Sequence, residues 1–311
     1  MDSERVEQAW RDDRRRLMDL AYRMLGSIRD AEDVVAEAYA RFAGADSEVD
    51  DPRGWLITVT SRLCLDRMRS AETTRRAYVG PWLPEPIVDS SRHRPGPEDR
   101  VTLDESVRMA LLVVLEQLSP GERTSFVLHD VFRLEFAEIA ALVGRSPDAC
   151  RQLAVRARRR IAADDPSRFS ADPDEQREVA RRFAVACSSG DFDSLVSILD
   201  PDVVGDFDSG GYVADAPLQP VRGARAVAGQ LHRSFAAAGC TFEVADINGE
   251  AGVVVLRAGR VMAVIAVGVV AGRVDHIHGV GNPNKLAEVR WTTEAKIAPV
   301  PSGPLRRDRS V

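Results

Sequence analysis

The chain has 311 residues, of which 44% are hydrophobic and 29% charged, and its formal net charge is −6. This length suits two or three globular domains, and no apolar run reaches the roughly 18 residues that a membrane span needs. The four cysteines are far apart, and the N-terminus has no apolar signal core. We therefore expect a cytoplasmic protein with no disulfide framework, no metal site, no cofactor and no membrane partner.

Charge is distributed unevenly along the chain. Between Asp30 and Arg53 there are eight acidic residues and two arginines, whereas between Arg145 and Arg160 there are six arginines and one aspartate. An acidic stretch and a basic stretch in one chain predict two different binding partners.

Residues 1–71 are predicted to form a compact helical domain. Apolar residues recur at helical spacing up to Gly26, which is placed to end the first helix, and a second helix follows at about 31–42. A third helix is predicted at about 52–70, with Pro52 in its first turn.

The segment 72–100 is predicted to be a linker, because it is rich in proline and cannot form a long helix. It nevertheless carries Trp82 and Leu83 within the run WLPEP, and free linkers seldom contain large apolar side chains. We expect this part of the linker to dock on another domain.

Residues 101–165 are predicted to form a second helical domain that contains a helix-turn-helix. Gly144 is placed as the turn glycine, and Ala140 lies four residues before it, where two crossing helices leave room only for a small side chain. Ser146 can cap the second helix of the motif, with Pro147 at its first position.

The outward face of this second helix carries arginines that have no acidic partners at four-residue spacing, so we expect their charge to be available to DNA. Arg151 and Gln152 would read base edges in the major groove, and the later arginines would hold phosphates. The predicted DNA-binding residues are Ser146, Arg151, Gln152, Val155, Arg156, Arg158 and Arg159. A solvated arginine-rich helix is the alternative.

Residues 172–298 predict an α+β domain, and the tail 299–311 is expected to be disordered. Helices are predicted at about 176–188 and 224–237. Valine-rich strands are predicted near 241–246, 252–257, 261–270 and 273–278.

Three stretches of the first 163 residues resemble the extracytoplasmic-function sigma factors of RNA polymerase. Region 2.1–2.2 of that family is similar to LAYRMLGSIRDAEDVVAEAYARF, and regions 2.3 and 2.4 are similar to DPRGWLITVTSRLCLDRMRS. Region 4 is similar to LSPGERTSFVLHDVFRLEFAEIAALVGRSPDACRQLAVRARRRI. The resemblance implies sigma domain 2 at 1–71, sigma domain 4 at 101–165, and a protein that binds core RNA polymerase and directs promoter-specific initiation.

By this resemblance the acidic helix would bind the clamp helices of the polymerase β′ subunit, and domain 4 would meet the β flap and read the −35 element. The third helix would melt and hold the −10 element. The implied polymerase-binding residues are Asp30, Glu32, Asp33 and Glu37. The implied −10 residues are Arg53, Trp55, Arg62, Asp66 and Arg69.

The rest of the chain resembles the subgroup with a fused SnoaL-like domain, including the actinobacterial SigI and SigJ types. The motifs of that subgroup are similar to WLPEP at 82–86, GDFDSLVSILDPDVV at 190–204 and NPNKL at 282–286. In the subgroup the linker and the C-terminal domain contact each other and tune activity. The implied interdomain residues are Trp82, Leu83, Pro84, Glu85, Pro86, Asn282, Pro283, Asn284, Lys285 and Leu286.

A SnoaL-like cone can host a catalytic or ligand-binding pocket. The candidate pocket residues are Asp206, His232, His276 and His278. They form no recognisable acid–base pair, so we expect a regulatory domain that is not catalytic, with a small-molecule ligand as a further interpretation.

The sequence therefore predicts two all-α sigma domains, the second with a helix-turn-helix, followed by an α+β SnoaL-like cone, in a chain that is monomeric when free. One alternative is a conventional repressor or activator with the same helix-turn-helix, but the acidic second helix favours the sigma interpretation. The other alternative is an enzyme with an attached DNA-binding domain, which would turn over a small substrate.

Overall fold

The computed structural model describes residues 3–45, 49–89, 108–163, 172–213, 215–235, 239–289 and 291. The described residues up to Arg76 and those between 111 and 163 form one compact unit, here called the helical unit. The described residues of 77–89, 108–110 and 172–291 form a second compact unit, here called the α+β unit. The tail predicted to be disordered lies outside the described residues.

The first half of the helical unit contains three helices that pack together: α1 (Ser3–Leu25), α2 (Ile28–Ala43) and α3 (Pro52–Arg76). Gly26 ends α1 with a φ of 68°, a conformation that favours glycine. The next residue, Ser27, caps α2 by accepting a hydrogen bond from the Asp30 amide. Helix α3 extends six residues beyond its predicted end near Ser70, because the sequence that follows contains no helix breaker.

The second half contains α4 (Met109–Glu116) from Leu111 onward, α5 (Pro120–Phe126), a π-helical turn (Val127–Val131), α6 (Phe136–Val143) and α7 (Pro147–Ala163). The predicted helix-turn-helix is confirmed in α6 and α7. Gly144 has a φ of 73°, and the Ser146 hydroxyl accepts a hydrogen bond from the Ala149 amide at 3.2 Å. The part of the predicted domain before residue 108 lies outside the described residues.

A buried arginine joins the two halves of the helical unit. Arg123 of α5 is 1% exposed and donates hydrogen bonds to the carbonyls of Leu115 (2.7 Å) and Met24 (2.8 Å). Its charge is paired with Glu116 at 2.8 Å. Because Met24 lies in the last turn of α1, where carbonyls lack helical partners, this contact ties the end of α1 to α5.

The α+β unit contains α8 (Pro173–Ser189), α9 (Phe192–Ile198), α10 (Ala224–Phe235) and a mixed seven-stranded sheet of order β1-β4-β5-β6-β7-β2-β3. The strands are β1 (Val88–Asp89), β2 (Leu199–Asp208), β3 (Val221–Arg222), β4 (Cys240–Ile247), β5 (Glu250–Arg257), β6 (Arg260–Val270) and β7 (Arg273–Val280). Strand β2 pairs with β7 in parallel, and the other pairs are antiparallel. The predicted fold class, two all-α domains followed by an α+β domain, is confirmed.

The core of the α+β unit lies between its helices and one face of the sheet. Phe183 of α8 and Leu231 of α10 pack there with alternate residues of the strands, such as Val253, Ile265 and Ile277. Because side chains alternate along a strand, Asp206 and His278, in register with each other on β2 and β7, belong to the opposite face.

Glu250, at the start of β5, is a buried acid beside that core. It is 7% exposed and faces the guanidinium of Arg108 at 3.5 Å, the amide of Gln176, and the carboxylates of Asp246 and Asp275. Burial raises the pKa of the Glu250 carboxyl to about 7, although Arg108 acts in the opposite direction.

This raised pKa predicts that the α+β unit loses stability as the pH rises from about 4.5 through 7, because the folded state holds a proton that the unfolded chain releases. The loss attributable to Glu250 is about 3 kcal/mol. The variant Glu250→Gln should lose correspondingly less stability between pH 5 and pH 8 in urea denaturation. The exposed Glu175→Gln should behave like the parent, and an equal pH dependence for Glu250→Gln and the parent would contradict the prediction.

Candidate functional site

The four acids predicted to bind polymerase lie together on the exposed face of α2. Their positions follow from the helix period, because Ala31, Val34, Val35 and Ala38 occupy the buried face. An arginine that the sequence interpretation overlooked, Arg67 of α3, pairs with Asp30 at 2.9 Å and lies 3.7 Å from Asp33. Exposed ion pairs of this kind contribute little stability, so a basic partner can replace them.

The residues predicted to hold the −10 element lie along α3. Arg53, Arg62, Asp66 and Arg69 are exposed, and Trp55 is half-buried with its ring centroid 5.5 Å from that of Phe42. Arg53 is paired with Asp13 of α1 at 2.7 Å. The Nη2 atom of Arg69 donates to the Val143 carbonyl at the end of α6, at 3.4 Å. One residue predicted to bind the −10 element therefore contacts the helix-turn-helix.

The expectation that the charge of the α7 arginines is not neutralised locally is wrong for three of them, Arg151, Arg156 and Arg158. Arg158 forms a two-point contact with Asp130 (2.7 and 3.1 Å), Arg156 pairs with Glu122 (3.1 Å), and Arg151 pairs with Asp148. Asp130 and Glu122 lie outside α7, and Asp148 lies three residues before Arg151. A search for acids at four-residue spacing within α7 could therefore not find them.

Within α7, the predicted DNA-binding residues differ in exposure. Ser146, Arg151, Gln152, Arg156 and Arg159 are exposed, whereas Val155 and Arg158 are half-buried. The inward face is formed by Cys150, Leu153, Ala154 and Ala157. The exposed residues therefore form one face of α7, as a helix that enters a DNA groove requires.

The WLPEP segment is held by a buried ion pair in the α+β unit. Lys285 and Asp208 are joined at 2.7 Å, with their side chains 6% and 0% exposed. Asp208 also accepts a hydrogen bond from the Leu83 amide at 2.9 Å, and the Lys285 ammonium donates to the Leu83 carbonyl. The same ammonium lies 3.5 Å from the ring centroid of Trp82, a cation–π contact.

Tyr78 completes this arrangement, which we call the linker clasp: Tyr78, Trp82, Leu83, Asp208, Asn282 and Lys285. The Tyr78 hydroxyl donates to Asp208 and accepts from the Asn282 amide at 2.7 Å. Burial and the adjacent Asp208 carboxylate raise the pKa of this hydroxyl, so it stays a donor. Gly210 permits the close approach, since a Cβ there would lie 2.5 Å from the Asn282 amide nitrogen.

The linker continues from the clasp to the far edge of the sheet. Val88 and Asp89 form β1, which pairs antiparallel with β4 through Ile247 and Asp246. The Ile87 amide donates a hydrogen bond to the side-chain oxygen of Asn248 at 3.1 Å, and the Asn248 backbone amide donates to the Ile87 carbonyl at 2.8 Å. Asn248 and Gly249 both have positive φ, as a tight turn between two strands requires.

The ten residues predicted to be interdomain belong to two motifs, WLPEP at 82–86 and NPNKL at 282–286. The structure brings these two motifs together in the α+β unit. Leu83, Pro84 and Pro86 are buried and Trp82 and Glu85 are half-buried. In the second motif, Asn282, Lys285 and Leu286 are buried, Pro283 is half-buried and Asn284 is exposed. Asn284 donates to the Tyr212 hydroxyl at 3.0 Å instead of taking part in the clasp.

Three of the four predicted pocket residues lie together, and none of the four lines the apolar cavity of the unit. His278 lies 3.7 Å from Asp206, and the His276 and His278 rings are 5.7 Å apart; His232 is exposed on α10. A cavity of about 390 Å³ is lined instead by other residues, among them Phe207, Gln230, Arg257 and Ile265. In the part of the chain that the structure describes, no group of three His, Cys, Asp or Glu side chains could hold a metal.

The comparisons with known proteins bear on both units. The family model "Sigma-70 region 2" matches residues 10–74, and "Sigma-70, region 4" matches residues 108–161. The chain is 41% identical over 293 residues to the probable ECF RNA polymerase sigma factor SigI of Mycobacterium tuberculosis, covering 92% of this chain and 96% of that one. This chain belongs to the extracytoplasmic-function (ECF) RNA polymerase sigma factors.

Two further matches cover both units of this ECF sigma factor. SigJ of M. tuberculosis is 41% identical over 285 residues, which are 88% of this chain and 90% of that one. The crystal structure of SigJ superimposes with a TM-score of 0.69 at 37% identity and covers 88% of this chain and 95% of that one. As a member of the family, the protein directs promoter-specific transcription initiation by RNA polymerase. None of its described helices has the length and apolar character of a membrane span.

The clasp predicts a specific effect of Lys285→Met. This change leaves the Asp208 carboxylate buried without its ammonium, which should destabilise the α+β unit by about 3 kcal/mol. Amide exchange of residues 82–88 should accelerate, as measured by hydrogen–deuterium exchange. The exposed Glu288→Gln is the control, and the double variant Asp208→Asn with Lys285→Met should cost less than the two single changes added together. Unchanged exchange at Leu83 would contradict the role of the clasp.

Proposed function

We propose that this sigma factor binds core polymerase through the acidic face of α2 and reads its promoter through α3 and α7, while the α+β unit tunes its activity in cis through the linker clasp. The observation that carries the proposal is the buried Asp208–Lys285 pair, which fixes a linker segment whose neighbours in sequence are α3 and α4. The proposed domains are 1–71, 101–165 and 172–298, joined by the linker 72–100.

The polymerase-binding role of α2 rests on charge and exposure. Asp30, Glu32, Asp33 and Glu37 form one exposed acidic face, on which Arg67 pairs with Asp30 and Arg41 pairs with Glu37. A face of this kind favours a basic partner surface and increases the rate of encounter with it. The β′ clamp helices are the partner that the family resemblance suggests.

Charge reversal of this face should abolish sigma activity. The triple variant Asp30→Lys, Glu32→Lys, Asp33→Lys should lose stable binding to core polymerase and give no discrete transcript in vitro, because like charges would then meet across the interface. The matched control is a reversal of three exposed acids of the α+β unit, Glu175, Glu178 and Glu288. Equal transcription by both triple variants would overturn the assignment.

Promoter reading would use the exposed face of α7 at the −35 element and α3 at the −10 element. Arg151 and Gln152 lie in the first turns of α7, where a recognition helix contacts base edges. Arg156 and Arg158 would have to exchange Glu122 and Asp130 for phosphates, or would only position α7 within its domain.

Simultaneous reading of both elements requires the helical unit to open. Elements centred at −35 and −10 are separated by roughly 85 Å along B-form DNA at 3.4 Å per base pair. A compact unit of about 125 residues has a radius of gyration of only about 14 Å. Contacts such as Arg69 to the Val143 carbonyl and Arg123 to the Met24 carbonyl would therefore break in the active form.

The linker clasp would oppose this opening. The 32 residues of the segment 77–108 could span roughly 100 Å if fully extended. Tyr78 at one end is bound to Asp208, and Arg108 at the other end is paired with Glu250 of the same α+β unit. Because both described ends are held on one unit, the distance between them is fixed, so the clasp would restrain the separation of the two DNA-reading halves.

Release of the clasp should therefore raise transcription. Lys285→Met should increase the yield of promoter-specific transcript severalfold with purified core polymerase, provided that the variant still binds core in a pull-down assay. The exposed Glu288→Gln should match the parent. A yield that is unchanged or reduced, with core binding intact, would contradict restraint by the clasp.

We also propose that the α+β unit is not catalytic. Asp208, a fully buried carboxylate on the wall of the cavity, accepts hydrogen bonds from four donors: Tyr78, Leu83, Gly210 and Lys285. A carboxylate committed to these contacts holds the linker and is not available for proton transfer.

A further inference from the structure

The apolar cavity of the α+β unit that Phe207 and Ile265 line has the properties of a ligand site. Its volume of about 390 Å³ lies within the range of small-molecule pockets. Apolar side chains dominate its wall, among them Phe207, Phe235, Val261, Ile265 and Leu286. Because an apolar wall favours an apolar occupant, the body of the ligand should be a hydrocarbon chain or ring system.

A buried side-chain amide on the cavity wall can donate a hydrogen bond to a ligand. Gln230 is 6% exposed; its carbonyl oxygen accepts from Arg233 at 2.8 Å, and its amide nitrogen donates to Ser234 at 3.2 Å. A side-chain amide has two N–H groups, and Ser234 is the one acceptor that the described residues place on this nitrogen. A ligand oxygen could therefore accept the second hydrogen.

Positive charge lies at the rim of the same cavity. Arg257 lines it at the end of β5, is exposed, and stands directly opposite Arg260 of β6 in the sheet register. Like charges placed opposite each other on two strands are unfavourable. Among the residues that the structure describes, no carboxylate is paired with either arginine, so an anionic group of a ligand would relieve this repulsion.

The wall of the cavity is shared with the linker clasp. Pro283 and Leu286 line the cavity, while Asn282 and Lys285 of the same segment hold Tyr78 and Leu83. Asp208 belongs to both sets. Whatever fills the cavity therefore packs against the segment that holds the linker.

We propose that the α+β unit binds an apolar carboxylate in this cavity, with its chain against Phe207 and Ile265 and its charge at Arg257, and that the bound ligand tightens the linker clasp. The regulatory part of this inference rests on the proposed role of the clasp in transcription, whereas the binding part does not. Because coupling between two sites is reciprocal, ligand affinity and clasp integrity must change together.

The binding test uses decanoate, decanol and decyltrimethylammonium with the full chain in isothermal titration calorimetry. Decanoate should bind, and the ammonium should not. Arg257→Gln should weaken decanoate about tenfold while leaving decanol unchanged, as expected for the loss of one charged contact. Ala263→Phe should abolish binding by filling the cavity. No decanoate binding at millimolar concentration, or equal affinity for the three probes, would overturn the proposal.

The coupling test measures amide exchange of residues 82–88 with and without decanoate. Exchange should slow severalfold on binding, and Lys285→Met should weaken decanoate binding by a similar factor. Exchange that does not respond to bound decanoate would overturn the coupling. Neither readout involves polymerase, so failure here is distinguishable from failure of clasp restraint, which the transcript yield of Lys285→Met reports. If Ala263→Phe fails to fold, the exposed Arg257→Gln alone decides the site.

Discussion

The arrangement of the α+β unit around the linker depends on one buried ion pair, Asp208 with Lys285. A pair of this kind adds little net stability, since both charges lose their hydration, but removal of one partner is costly. The ion pair matters here because it fixes the position of the linker at Trp82 and Leu83. The amide and the carbonyl of Leu83 are both satisfied by the pair, and the Trp82 ring covers the ammonium. These contacts fix the position of a linker segment that would otherwise be solvated.

In the helical unit, arginine side chains join separate segments in a similar way. Arg123 is buried and ties α5 to the end of α1, while Arg158 joins α7 to Asp130. These contacts satisfy polar groups inside the helical unit, including Arg158, for which we propose a role at the promoter. The free chain therefore satisfies many of its polar groups internally, and we expect binding of partners to replace these contacts rather than to fill empty positions.

Local features of the fold were predictable because local physics determines them. The turn glycine Gly144, the cap Ser146 and the valine-rich strands near 252–257 and 261–270 all follow from neighbouring residues. Strand β2 was not predicted, because its sequence LDPDVVGDFD is too polar and contains a proline. It forms through parallel pairing with β7, some 70 residues away.

In the candidate sites, too, features set by neighbouring residues were predictable, whereas contacts between distant residues were not. The exposed acidic face of α2 follows from helical spacing, and the two linker-docking motifs follow from the family resemblance. The clasp partners Tyr78 and Asp208 are 130 residues apart and carry no local signal of their contact. Strand alternation also places the predicted pocket residues His276 and His278 on the face opposite the one that Ile277 buries.

We expect the linker clasp to restrain the free protein and to be released when the sigma factor engages polymerase. Amide exchange of residues 82–88 in the free chain and in the reconstituted holoenzyme tests it most directly. Exchange should be severalfold faster in the holoenzyme, because the Asp208–Leu83 hydrogen bond would be lost there. Exchange that is equally slow or slower in the holoenzyme would show that the clasp survives engagement and does not restrain the sigma factor.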